Sequence, residues 1–262
     1  MVPDTVSSVL ATVRRALDGA AMARPFAAPA TVFNARISNR RCIAYAELNL
    51  DDVKAVKNHF GVKVNDVVMA LVSGVLRQYL AERNALPNSS LVASVPISVH
   101  GKSGRPGRNQ VSAMFASLHT EIADPVQRLK AIAHANSVAK EHSSAIGASL
   151  LQDWTQFAAP AVFGIAMRLY ARTRFTDSMP VHNLVVSNVP GPQVPLYLLG
   201  CEVKAMYPLG PIFHGSGLNI TAMSLRGKLD VGLIGCPDLV PDLWELADEF
   251  AVAMEELRAA AR

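Results

Sequence analysis

The side chains able to do acid–base, nucleophilic or phosphate chemistry are few and dispersed. The seven histidines, His59, His100, His119, His134, His142, His182 and His214, include no adjacent pair and no HExxH spacing. A zinc hydrolase site therefore has no basis in the sequence. His134 and His142 fall two turns apart on one expected helix, and each lone histidine reads first as structural. His119 and Asp124 echo an HxxxD pair, but Asp124 precedes Pro125 and reads as a helix cap. A GxSxG nucleophile elbow is missing, and Gly215-Ser216-Gly217 lacks its spacing. Those glycines instead let a strand pass close to another backbone or to a ligand. Gly101-Lys102-Ser103 resembles the tail of a phosphate loop, yet Pro96 stands where that loop needs glycine. The surrounding Lys102, Arg105 and Arg108 are either a solvated loop or partners for phosphates. Two stretches are more informative. Asn65-Asp66 precedes an apolar helix and either caps it or turns its free N–H groups and positive dipole end toward a ligand. Ser187-Asn188-Val189-Pro190-Gly191-Pro192 ends a β run in a rigid turn that the Asn188 side chain can fix.

Regular elements must position these residues. Residues 3–18 read as a helix, with Val6, Val9, Leu10, Val13 and Leu17 on one face, followed by a proline- and alanine-rich connection. A β run from Arg41 to Leu48 leads to Asn49, which has the character of an N-cap, and a helix closed by Gly61. The strongest helix follows, capped by Asn65 or Asp66, with Val68, Leu71, Val72, Val75, Leu76, Tyr79 and Leu80 at helical spacing. Strands are expected at Leu91–Val99 and Val111–Leu118, and a helix from Asp124-Pro125 to about His142. A further helical region covers 148–172. Beyond Val181 the pattern becomes short strands: Leu184–Ser187, Glu202–Tyr207, Gly217–Ser224 and Leu229–Ile234, the last two joined by an Arg226-Gly227 turn. A final helix near Pro241, with Asp238 as its expected cap, carries Leu243, Leu246, Phe250, Met254 and Leu257. The order implies an α/β (α+β) domain, a mixed sheet packed with helices.

Composition narrows the function classes. The 262 residues are 50% hydrophobic and 18% charged, with a net charge of +4. Disorder requires the opposite balance, and scattered basic residues make no nucleic-acid footprint. Cys42, Cys201 and Cys236 lie far apart, without a CxxC pair, which suits a reducing compartment. The amino terminus lacks the basic n-region of a signal peptide, and the longest apolar run, Phe157–Met167, is interrupted by Pro160 and Gly164. It falls well short of the ~20 residues of a membrane span.

Val64-Asn65-Asp66-Val67-Val68, Ser187-Asn188-Val189-Pro190-Gly191-Pro192, Pro195-Leu196-Tyr197, Gly217-Leu218-Asn219-Ile220 and Val240-Pro241-Asp242 occur in this order. Together with Asn39-Arg40-Arg41 and Asp124-Pro125…Arg128-Leu129, they resemble the carboxyl-terminal half of the bacterial, mycobacterial-type wax ester synthase/diacylglycerol acyltransferase family. The resemblance implies the second half of a chloramphenicol-acetyltransferase-like two-domain fold. It places an amino-terminal helix and loop at 1–33 and the family's carboxyl-terminal domain at 34–262. The implied activity is acyl-CoA-dependent O-acyl transfer to diacylglycerol or a long-chain alcohol. The family's base is the second histidine of an HHxxxDG motif, a role suited to a near-neutral pKa. No HHxxxDG occurs here, so no catalytic residue is assigned. By resemblance, Asn65, Asp66, Ser187, Asn188, Gly191 and Pro192 contact substrate or cofactor. No metal and no permanently bound cofactor is implied; acyl-CoA is the acyl-donor substrate. The implied partners are a polypeptide supplying the HHxxxDG half, or self-association, with no nucleic acid. The implied setting is cytoplasmic, peripheral at membranes or lipid droplets. The alternative is a non-catalytic lipid- or acyl-CoA-binding protein, or an inactive remnant. Either way, half of a two-domain core should expose apolar surface.

Overall fold

The computed structural model describes residues 27–98, 111–145 and 180–262. The expected helices at 3–18 and 148–172 and the basic loop holding Lys102, Arg105 and Arg108 lie outside them.

Cys42–Asn49 form β1. Leu50–Phe60 form α1, with the Asn49 side chain accepting from the Asp51 N–H and Gly61 left-handed at its end, as the sequence predicts. Val64–Glu82 form α2. Val92–Ser98 and Val111–Ser117 form the hairpin β2–β3. Pro125–Ala145 form α3, whose start is capped by Asp124 through the Gln127 N–H at 2.7 Å. Leu184–Pro190 form β4, Tyr197–Leu198 and Cys201–Glu202 a short β5–β6 hairpin, Leu218–Leu225 and Lys228–Gly235 the hairpin β7–β8, and Leu243–Ala260 the helix α4.

The main sheet has six strands in the order β1-β8-β7-β4-β2-β3. Strands β7, β4 and β2 are parallel and the remaining pairs antiparallel. One face packs on the helices: Ala44, Leu48, Ala93, Val95, Val186, Ile220, Ala222, Leu229, Val231 and Leu233 join the buried stripes of α2 and α4 in one core. The predicted α4 stripe, Leu243, Leu246, Phe250, Met254 and Leu257, is buried throughout.

Four sequence expectations are corrected. Helix α2 begins two or three residues early, at Val64, and neither Asn65 nor Asp66 is its N-cap; Lys63 is. Asp66 instead reaches back from the third position. Asp242, not Asp238, precedes α4, and its carboxylate accepts from the Tyr79 hydroxyl at 2.6 Å and pairs with Arg83. The expected Glu202–Tyr207 strand shrinks to Cys201–Glu202. Finally, Ser187–Pro190 continue β4 in register with Thr221–Ser224 of β7, so the turn starts only at Gly191. A proline fits there because β2 pairs with β4 only at Leu184 and Val185, leaving the other edge of β4 without a ladder to β2 beyond them.

The amino-terminal crossing is held by buried asparagines. The Asn34 amide donates to the His182 and Gly215 carbonyls at 2.9 and 2.8 Å. Asn183 donates to Asn34 Oδ1 at 2.8 Å and accepts from the Val92 N–H at 2.8 Å. Gly217 donates to the Phe33 carbonyl at 2.7 Å, and a Cβ there would sit 2.6 Å from Leu239 Cδ1. The expected close backbone passage is therefore present, and its neighbour is the chain itself.

His182 neighbours this network and stacks obliquely on Phe115 at 5.8 Å between centroids. Burial lowers its pKa to about 4, and among the described residues neither ring nitrogen has a hydrogen-bond partner. An imidazole depressed on folding stabilises fully above its unfolded pKa of about 6.5 and loses that contribution as pH falls towards 4. Urea unfolding at pH 7 and pH 4.5 should show a loss of about 2 kcal/mol from this group, absent in His182→Leu. An identical pH slope in the variant would contradict the assignment.

Candidate functional site

The carboxyl half of α2 lies at the amino ends of the parallel strands. Ser73 Oγ donates to the Leu118 carbonyl at 2.5 Å and Arg77 to the Thr120 carbonyl at 2.7 Å. Thr120 Oγ1 accepts from the Leu91 N–H ahead of β2, and the Asn183 N–H ahead of β4 reaches the Val92 carbonyl. Ser73 is the tenth of the 19 helical residues, so the amino end lies about 14 Å further on. Val68, one turn inside it, lines a small gap with Val186 and Ser187 of β4, which puts Asn65 and Asp66 toward the carboxyl end of β4. In open α/β sheets this is the end where ligands gather. The structure thus brings the two expected site stretches to one end of the sheet, and no hydrogen bond among the described residues joins them.

Asp66 and Asn65 have different tasks. The buried Asp66 carboxylate accepts from the Lys63 N–H at 2.9 Å and from Asn136 Nδ2, on α3, at 2.8 Å. The first contact is the reciprocal half of a capping box; the second ties α2 to α3. This carboxylate offsets the positive end of the helix dipole, so the helix start suits a neutral polar group better than a second anion. Asn65 is half-buried, and its amide meets only Met69 Sδ, at 3.6 Å, among the described residues. It is the member of the pair available to a ligand. Asn136 was invisible to sequence reasoning, because nothing local marks a residue 70 positions away as the partner of Asp66.

The other stretch divides between the two sheet faces. Asn188 lies on the face of Leu184 and Val186, toward the helices, and is half-buried. Ser187 alternates to the opposite face, where β2 and β4 separate. There a cleft of about 360 Å³ is floored by Ser94, Val185, Ser187, Asn219 and Thr221 and walled by Pro96, Leu209, Pro211 and Phe213. Its wall is a strap, 203–216, crossing the back of β7 and β8. The Met206 N–H donates to Asp230 Oδ2 at 2.7 Å, Tyr207 stacks on Tyr45 at 4.3 Å, and Asn219 Nδ2 donates to the Pro211 carbonyl at 3.2 Å. Burial raises the Asp230 pKa. Asn219 and Thr221 could have been found from the sequence as two polar residues at alternate positions, hence on one face, of β7.

Gly191 has a steric explanation. A Cβ there would lie 2.1 Å from the Ser224 carbonyl oxygen and 2.9 Å from Met223 Cγ, and its N–H approaches Ser224 Oγ at 3.3 Å. Pro192, half-buried, begins the segment that leaves the sheet. Among the described residues no cluster of three His, Cys, Asp or Glu side chains gathers for a metal, and no single helix is long and apolar enough to cross a membrane.

Residues 108–258 match the WS/DGAT C-terminal domain, and residues 1–68 match the wax ester synthase/diacylglycerol acyltransferase catalytic domain. A putative diacylglycerol O-acyltransferase of Mycobacterium tuberculosis H37Rv is 52% identical over 257 residues, 98% of this chain and 51% of that protein. A second from the same strain is 37% identical over 236 residues, 89% of this chain and 47% of that protein. The chain spans about half the length of these curated relatives. The solved wax ester synthase/diacylglycerol acyltransferase of Marinobacter aquaeolei VT8 superposes with a TM-score of 0.75 at 29% identity, covering 100% of this chain and 57% of that one. The nonribosomal peptide synthetase FmoA3 shares the fold alone, at TM-score 0.56 and 14% identity, with 97% of this chain and 26% of that one covered.

Proposed function

The chain belongs to the wax ester synthase/diacylglycerol acyltransferase family, and from that premise we propose that it is the tunnel-forming half of an acyl-CoA-dependent O-acyltransferase. The acceptor is diacylglycerol or a long-chain alcohol, and the complete site includes an HHxxxDG-bearing half. There the histidine removes the acceptor hydroxyl proton, the alkoxide oxygen attacks the thioester carbonyl, and the C–S bond breaks to release CoA as its thiol. The observation that carries this reading is the placement of Asn65 and the Asn188–Pro192 segment toward the same end of the sheet, at the carboxyl end of β4.

In this account Asn65 donates or accepts a hydrogen bond to a neutral polar group of the substrate, Asp66 fixes the helix end that presents it, and Ser187 floors the cleft beside β4. Water-insoluble products place the complex at a membrane or lipid-droplet surface. Asn65→Ala in the completed enzyme should lower kcat about tenfold, equivalent to one lost hydrogen bond of ~1.4 kcal/mol. Its melting temperature should stay within about 2 °C, because the helix cap does not depend on Asn65. Equal losses of stability and turnover would leave Asn65 a purely structural residue.

One observation favours the second reading, a non-catalytic lipid- or acyl-CoA-binding protein: none of the seven histidines adjoins another. Saturable acyl-CoA binding without thiol release by any completed complex would establish it.

A further inference from the structure

The β5–β6 hairpin leaves the sheet as an arm with an apolar tip. Tyr197, Leu198 and Leu199 are 66%, 68% and 98% exposed. The tip turn is Leu199-Gly200, with φ of 51° and 85°, the left-handed pair of a two-residue hairpin. Asn, Asp or Gly suits the first of those positions; leucine does not. Among the described residues Leu199 therefore satisfies neither local conformation nor burial, and a residue held against both preferences points to function. A hairpin with two residues per strand is also marginal on its own.

Resting on the proposal that an HHxxxDG half completes the enzyme, we infer that this arm is the docking element for that polypeptide. Three observations favour a protein surface over a lipid one. No Asp, Glu, Lys or Arg lies between Asn183 and Cys201. The cations at the base of the arm, Lys204 and Arg226, are both paired with Glu202, which leaves little attraction for anionic headgroups. The strand edges of the hairpin present main-chain groups that a neighbouring polypeptide can extend, with side chains giving specificity. The relatives and the Marinobacter enzyme have about twice the length this chain spans, so protein of the right family lies beyond the part matched by this chain.

The test is co-expression of this chain with the amino-terminal half of the 52%-identical Mycobacterium tuberculosis relative. Complex affinity and amide exchange over 194–202 are measured for wild type, Leu199→Asn and Leu198→Asp/Leu199→Asp. Leu199→Asn suits the left-handed turn, so its melting temperature should not fall. The expected result is slowed exchange of the arm in the complex, and at least tenfold weaker binding by the double variant with its fold intact. Equal affinity for all three chains would overturn the inference, as would failure to form any complex. Protection of the arm only by phosphatidylcholine/phosphatidylglycerol vesicles, or only by self-association, would overturn it too. A complex formed through the arm but silent in thiol release would keep the docking and remove the acyltransferase reading.

Discussion

Gly191→Ala should lower stability by about 3 kcal/mol, at the upper end for an overpacked site, and depress the melting temperature by about 6–12 °C for a chain of this size. The added methyl would lie 2.1 Å from a backbone oxygen of β7. A flexible side chain could rotate away, but Ser224 is held in the ladder, so β4 and β7 must part. The arm that follows would be re-aimed, and turnover in the completed enzyme should fall with stability. Calorimetry of the variant is the check. A loss below about 0.5 kcal/mol would show that the strand end gives way freely and that Gly191 serves another purpose.

Asp66 should divide by substitution. Asp66→Ala leaves the Lys63 N–H and the Asn136 amide without their acceptor in a buried place, costing about 2–4 kcal/mol. Asp66→Asn keeps the shape: its oxygen can serve Lys63, and its amino group can donate to Asn136 once that amide turns over. Asp66→Asn should therefore unfold within about 1 kcal/mol of wild type and retain most turnover in the completed enzyme. A stable Asp66→Asn that lost turnover more than tenfold would mean that the carboxylate acts on the substrate, contrary to the positioning role.

Periodicity made most of the fold legible. The stripes of α2 and α4, the Asn49 and Gly61 caps and the Arg226-Gly227 hairpin are local signals and appear where the spacing places them. The errors also have physical reasons. Asn and Asp at a helix start suggest a side-chain cap, whereas Lys63 starts α2 with its N–H tied to Asp66 from inside the first turn. Pro190 suggested a turn within Ser187–Pro192, but a proline is harmless on a strand edge that β2 does not pair. Asp238 resembled a cap because the Tyr79–Arg83–Asp242 cluster joins residues about 160 positions apart. The same distance hid the Asn34–Asn183 network and the Asn136–Asp66 bond. The motifs named Asn65, Asp66, Ser187 and Asn188 together; only the fold separates the buried, doubly hydrogen-bonded Asp66 from the half-buried Asn65, and Ser187 from Asn188 by sheet face.

The central claim, a half-site that gains its base from elsewhere, is tested most directly by thiol release from a long-chain acyl-CoA, with diacylglycerol or a long-chain alcohol as acceptor. The chain is assayed alone and after co-expression with an HHxxxDG-bearing half of the family. The account predicts turnover only in the complex, with CoA released in step with ester formed. Turnover by the chain alone would place the base among its own seven histidines and contradict the account.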